Sequence, residues 1–194
     1  MRGALWAQRL ARSLAGMGIT PNQISVLSIV FAALGAWCLF LGGWQLFLAA
    51  LCIQGRLLCN LFDGMVAVEH NQATALGPVY NEFPDRIADS LLLVAGGYAC
   101  GFPELGWLAA LAAALTAYVR VYGAACGLGH DFRGPMAKQH RMAVLTLACI
   151  ATALLPFALT PLVVAMGTIG ALSLVTCVTR TLALCRQLQR KASA

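Results

Sequence analysis

The chain has 194 residues, 60% of them hydrophobic and only 10% charged, with a mean hydropathy of +0.79. A typical soluble domain carries roughly 25% charged residues, so this composition excludes an ordinary water-soluble enzyme. The formal net charge of +6 then reads as topology and contact with anionic lipid, with no nucleic-acid partner.

Residues 1–20 are too polar to span a bilayer. Leu5, Trp6, Leu10, Leu14 and Met17 share one helical face while Arg2, Arg9 and Arg12 lie elsewhere, the pattern of an amphipathic helix lying in the interface. No charged n-region followed by a cleavage site precedes the apolar part, so a removed signal peptide is not read here. Six apolar runs follow, at Gln23–Leu41, Trp44–Val66, Arg86–Cys100, Leu105–Leu128, Met142–Leu159 and Leu162–Leu184. A span needs about 20 apolar residues, and a span in lipid must satisfy its own backbone, so each run is expected to be a helix. The expected fold is an all-α integral membrane protein with six transmembrane helices plus the N-terminal juxtamembrane helix. The expected organisation is an interfacial helix at 1–20, a membrane domain at 21–185 and a basic tail at 186–194.

Arg2, Arg9 and Arg12 precede the first run, Arg133, Lys138 and Arg141 surround the fourth link, and Arg186, Arg190 and Lys191 follow the last. The opposite links, near Gly42-Gly43, 102–106 and Thr160-Pro161, hold no lysine or arginine. This alternation places both termini in the cytoplasm, in a bacterial inner membrane if the source is bacterial. The eight cysteines lack CxxC spacing and read as small apolar side chains, not as a zinc site. Trp6, Trp44 and Trp107 fall near run ends, where interface anchors belong.

Five of the seven acidic residues lie between Asp63 and Asp89, in a chain where an ionised group at bilayer depth costs several kcal/mol unless paired, solvated or metal-bound. Arg56, Asn60, Asp63, Gly64 and Ala67 follow helical steps of three and four, and Asn81, Asp85 and Asp89 repeat every four residues. Gly77 falls in or just before the start of the helix that carries the second stripe. Facing stripes would converge hard oxygen ligands near the cytoplasmic side, suited to Mg²⁺, Mn²⁺ or Ca²⁺. A divalent ion there would in turn hold a pyrophosphate. Gly64 and Ala67 thin that face for a ligand or for tight helix packing. Glu104, and Glu69 with His70 in a loop, read as ordinary surface groups.

Residues Asn60, Asp63-Gly64, Ala67, Val68, Gly77, Asn81 and Asp85 resemble the signature of the CDP-alcohol phosphatidyltransferases, D-x2-D-G-x2-A-R-x8-G-x3-D-x3-D, with its spacing reproduced without a gap. Thr20-Pro21-Asn22-Gln23 is similar to that family's entry into its first span. The resemblance implies Asn60, Asp63, Asn81 and Asp85 as ligands of one or two Mg²⁺ or Mn²⁺ ions, with Asp85 or Asp89 taking the acceptor's proton. It also implies Gly64, Ala67 and Gly77 beside the nucleotide, and a homodimer. Asn60 and Asn81 stand where the signature has aspartate, and Val68 where it has arginine. A carboxamide keeps a carbonyl ligand but loses the charge, and Arg56, one turn before Asn60, is the preferred substitute for the arginine, with Arg86 as the alternative. Glu82 points about 100° away from Asn81 on a regular helix, so it reaches the cluster only if the helix starts irregularly.

Arg120 lies well inside a run, and Lys138 and Arg141 are three residues apart. All three are expected to bind an acceptor phosphate or a lipid headgroup, whereas Arg133 reads as a topology charge and His140 as a surface residue. The expected reaction is transfer of a phosphatidyl group from a CDP-linked lipid, most simply CDP-diacylglycerol, to an alcohol with release of CMP. The alternative is a non-catalytic lipid- or nucleotide-binding relative that partners an active transferase. An intramembrane cation carrier would explain the acids but not the Gly64, Ala67 and Gly77 spacing.

Overall fold

The computed structural model of the protein describes residues 5–69, 75–155 and 160–193, and within these it contains seven helices and no strand. They are α1 (Leu5–Gly16), α2 (Pro21–Leu41), α3 (Gln45–Glu69), α4 (Gly77–Ala99), α5 (Pro103–Ala125), α6 (Lys138–Leu154) and α7 (Thr160–Ala192). Local chemistry sets several boundaries. The Thr20 hydroxyl accepts the Gln23 amide at 3.3 Å and the Gln23 side chain accepts the Thr20 amide at 2.9 Å. With Pro21 at the first helical position, this is a capping box. Pro78 and Pro103 stand in the first turns of α4 and α5, which have no side-chain cap. Gly42 ends α2 with φ +65° and Gly101 follows α4 with φ +80°, backbone that glycine adopts without Cβ strain.

Four helical segments are long and apolar enough to cross a membrane: 21–41, 45–67, 103–125 and 161–192. The protein is an all-α integral membrane protein. α4 begins at Gly77, nine residues before the expected Arg86, so Asn81, Glu82 and Pro84 are helical and dilute its apolar character. α6 has 17 residues among those described, and the expected end of its span, at Leu159, lies outside them. α7 runs 33 residues to Ala192, about 50 Å at 1.5 Å per residue. The basic stretch expected as a separate tail is therefore mostly a continuation of that helix. Glu69 closes α3 where a loop was expected, and its expected partner His70 lies outside the described residues.

One apolar core joins α2 through α7, built around Leu39, Ile53, Leu92, Leu93, Leu145 and Met166. α2 packs on α3 and α4, α5 on α4 and α7, and α6 on α3 and α7. Between α4 and α5 the backbones nearly touch: a Cβ built on Gly97 would lie 2.5 Å from Gly106 Cα. A second cluster seats α1 on α3, with Ala7 and Ala11 against Cys59, Phe62, Met65 and Val66. The buried face of α1 is thus its alanine face. Leu5, Trp6, Leu10 and Met17 remain exposed, a lipid-facing edge consistent with an interfacial helix. Leu34, Trp37, Phe40, Leu111, Leu147 and Val178 also point outward, as a hydrocarbon-facing surface requires. None of the eight cysteines is paired, and they range from buried Cys59, Cys100 and Cys149 to exposed Cys185.

The segment between α5 and α6 is strapped to α7. The Met136 amide donates to Thr176 Oγ1 at 2.9 Å, and Arg180 donates to the Arg133 carbonyl at 2.8 Å and the Thr116 carbonyl at 2.9 Å. Gly134 passes Thr176 with φ +112°, in contact so close that a Cβ would collide with the threonine methyl. The strap fixes where α6 begins, and so where Lys138 and Arg141 stand.

Candidate active site

Polar residues from α2, α3, α4 and α6 meet at one end of the bundle. The α3 stripe faces the α4 stripe directly: Asn60 Nδ2 donates to Asp85 Oδ1 at 2.6 Å. α6 contributes Lys138, whose ammonium lies 2.5 Å from Asp85 Oδ2, while Arg86 reaches the same oxygen at 3.7 Å. Asp63 is buried beside α2, where its Oδ2 accepts the Ser25 hydroxyl at 2.7 Å. One turn below Asp85, Asp89 is enclosed by two buried guanidinium groups, Arg56 at 2.6 Å and Arg141 at 3.1 Å. Arg141 also donates to the Met136 carbonyl at 2.9 Å, which ties this buried triad to the strap.

A cavity of about 550 Å³ opens beside Asp85. Asn60, Asn81, Glu82 and Asp85 form one wall, and the other carries Arg120, Lys138, Arg141 and Arg180. Arg120 does not stand free in it, because Glu82 holds its guanidinium at 2.6 Å and Phe132 lies under it at 5.5 Å. Glu82 therefore serves the cationic wall and not the ligand cluster. His140 lines the cavity with its Nδ1 3.0 Å from the Pro135 carbonyl. Gly64 and Ala67 on α3, and Gly77 at the start of α4, are half-buried and do not line this cavity. Arg56, expected near a nucleotide phosphate, instead spans Asp85 and Asp89. Asp89, expected as a possible proton acceptor, is closed off between its arginines.

Arg180 is the cavity residue that sequence reading passed over. It sat inside the last apolar run, and an arginine at such depth is itself a signal of a polar partner or site. The Ser25 bond to Asp63 carried no comparable signal, since serine is common in membrane helices.

The donor set suits a hard divalent cation. Asp63, Asp85, Asn60 and Asn81 offer carboxylate and carboxamide oxygens, the ligands that Mg²⁺ and Mn²⁺ take. Among the described residues no three His, Cys, Asp or Glu side chains converge on one metal position, so any such ion must use the carboxamides. A cation already sits against Asp85, in the form of the Lys138 ammonium. Three buried carboxylates, Asp63, Asp85 and Asp89, thus meet four buried or part-buried cations, Arg56, Arg86, Lys138 and Arg141. The cluster is close to neutral from its own residues.

The family model for CDP-alcohol phosphatidyltransferase matches residues 18–184. The phosphatidylinositol phosphate synthase of Mycobacterium tuberculosis (strain H37Rv) is 27% identical over 188 residues, covering 88% of this chain and 82% of its own. The crystal structure of the M. tuberculosis phosphatidylinositol phosphate synthase with CDP-DAG bound aligns with a TM-score of 0.81 at 24% identity, covering 93% of this chain and 94% of that one. The same synthase in complex with manganese and citrate gives a TM-score of 0.80 at 23% identity, over 92% and 88% of the two chains. At these identities the structural likeness establishes the fold.

Proposed function

Because the chain belongs to the CDP-alcohol phosphatidyltransferase family, we propose that it transfers a phosphatidyl group from CDP-diacylglycerol to an alcohol that carries a phosphate, releasing CMP, as a step of phospholipid synthesis. One observation carries this reading: the 550 Å³ cavity is lined by the Asp85 carboxylate together with four cationic side chains, Arg120, Lys138, Arg141 and Arg180. Such a lining recognises an anionic acceptor by charge-assisted hydrogen bonds, while the carboxylate faces the acceptor's hydroxyl. The M. tuberculosis relative is named for a product that carries a further phosphate, phosphatidylinositol phosphate, and it is seen with CDP-DAG.

In this reading the alcohol oxygen attacks the phosphatidyl phosphorus. The bond from that phosphorus to the bridging pyrophosphate oxygen breaks, CMP leaves with the electron pair, and the alcohol proton passes to Asp85. Asn60 orients the Asp85 carboxylate through the 2.6 Å hydrogen bond. Mg²⁺ or Mn²⁺ would be held by Asp63 and Asp85 with Asn60 and Asn81 as neutral ligands, and when bound it supplies Lewis-acid neutralisation of the pyrophosphate. Gly64, Ala67 and Gly77 leave space beside that ion for the nucleotide. Asp89 acts through Arg56 and Arg141, as a positioning residue for the Asp85 wall.

The full topology proposed is six transmembrane helices, α2 to α7, with both termini and the cavity at the cytoplasmic face of a bacterial inner membrane. The absence of Lys and Arg from the opposite links supports it. A second copy of the chain as partner is implied by family resemblance.

The test is CMP release by purified protein in detergent, from CDP-diacylglycerol with Mg²⁺ or Mn²⁺, against phosphorylated and unphosphorylated alcohols. Release that depends on metal and on a phosphorylated alcohol is the expected result. Folded protein that binds CDP-diacylglycerol without releasing CMP from any acceptor would favour the non-catalytic relative, a reading that the two asparagines and the Lys138–Asp85 pair support.

A further inference from the structure

We propose that Lys138 is a built-in cation of the metal site, occupying one oxygen of Asp85 and holding the cluster to one divalent ion fewer than its ligand oxygens would otherwise take. Four observations converge on it. The ammonium lies 2.5 Å from Asp85 Oδ2, while the other oxygen of that carboxylate already accepts Asn60 at 2.6 Å. A divalent ion held by the Asp85 carboxylate would therefore meet an ammonium already in place. Lys138 is also the first residue of α6, the end of a helix where a positive side chain is disfavoured by the macrodipole. A lysine there needs a compensating carboxylate, and Asp85 is that carboxylate.

The lysine is held in place as well. Ala137 precedes it as N-cap, and the adjoining Met136 is bonded through its amide to Thr176 and through its carbonyl to Arg141. Its stem is thus aimed at Asp85 by the strap, and the side chain is only about a quarter exposed. Finally, Lys138 is the nearest of three cations around Asp85, at 2.5 Å against 3.4 Å for Arg56 and 3.7 Å for Arg86. Removing it takes the closest positive charge away from hard oxygen ligands and frees Asp85 Oδ2, which favours binding of a divalent cation.

The inference rests on the metal-assisted reading above, yet its test uses no substrate, so a failure to release CMP would leave it standing. Mn²⁺ is titrated into purified full-length protein in detergent, and bound ions per chain are counted from the loss of the free-Mn²⁺ electron paramagnetic resonance signal. K138Q is expected to bind one Mn²⁺ more than the wild type, and K138R to match the wild type. K138M, which keeps the aliphatic stem and drops the charge, repeats the count should K138Q fail to elute as a single folded species. Two ions in the wild-type protein, or no gain in the charge-removing variants, would overturn the proposal.

Discussion

Asp85 and Asp89 stand one turn apart on α4, and their surroundings differ in kind. Asp85 edges a cavity, accepts a neutral carboxamide and a lysine, and keeps contact with solvent. Asp89 is 2% exposed and clamped between two buried arginines, Arg56 and Arg141. The contrast teaches that acidic residues repeating on one helical face need not share a role. Depth decides: the upper carboxylate can exchange partners, while the lower one joins α3, α4 and α6 in a fixed brace.

The strongest way to break this contrast is to remove the lower charge. Truncating one partner of a buried ion pair leaves the other charge uncompensated and costs about 3–5 kcal/mol. D89N should therefore cost most of the folded protein, read as a large fall in melting temperature by size-exclusion thermostability in detergent. The upper carboxylate should behave oppositely. D85N is expected to lower CMP release by about 10²–10⁴-fold, the usual contribution of a positioned general base, with a much smaller change in melting temperature. Equal stability losses in the two variants would erase the distinction between the two carboxylates.

The sequence already contained much of this. Apolar runs located the helices to within a few residues at most ends, because a span's length and hydropathy are fixed by the bilayer. The apolar run of α4 starts nine residues after the helix itself, since hydropathy says nothing about a polar helical turn, whereas the expected helix start at or just after Gly77 agrees with the structure. Spacing alone placed Asn60 with Asp63 on one stripe and Asp85 with Asp89 on another, and the Asn60–Asp85 bond shows that the two face each other. Spacing could not say which acids would be bonded to arginine, because Arg56 and Arg141 come from helices whose rotation about their axes depends on packing. Nor could it show that Glu82 turns to Arg120, a pairing across 38 residues that exists only once α4 and α5 close on Gly97 and Gly106.

The strap offers an intermediate test, since it holds both an upper and a lower partner, Lys138 and Arg141. G134A puts a Cβ into Thr176 at a backbone angle suited to glycine, a strain worth about 1–3 kcal/mol. Lower melting temperature together with reduced activity is expected, because displacement of residues 133–137 moves the start of α6. A smaller effect should follow from E82Q, which weakens the 2.6 Å restraint on Arg120. A freed guanidinium can turn wholly to an acceptor phosphate, so KM for a phosphorylated alcohol should fall by about two- to fivefold, the scale of a part-exposed ion pair. An unchanged KM would place the acceptor away from Arg120.

The smallest effect is expected outside the bundle, at Asp131, and it marks where the electrostatics stop mattering. Partial burial pushes this carboxyl up, but the Arg133 amide and guanidinium, at 2.9 Å and 3.0 Å, outweigh it and hold the group below the usual carboxylate range. A depressed folded-state pKa means that the pair's contribution is complete above the unfolded value, about 3.9, and is lost as pH falls through the folded one. D131N should thus lower stability at pH 7 by less than about 1 kcal/mol, as exposed pairs do, and the difference from wild type should shrink on acidification below about pH 4. Melting temperatures of the two proteins at pH 7 and pH 3 measure this directly. A loss comparable to that of D89N would mean that the loop, and not the buried arginines, braces the site.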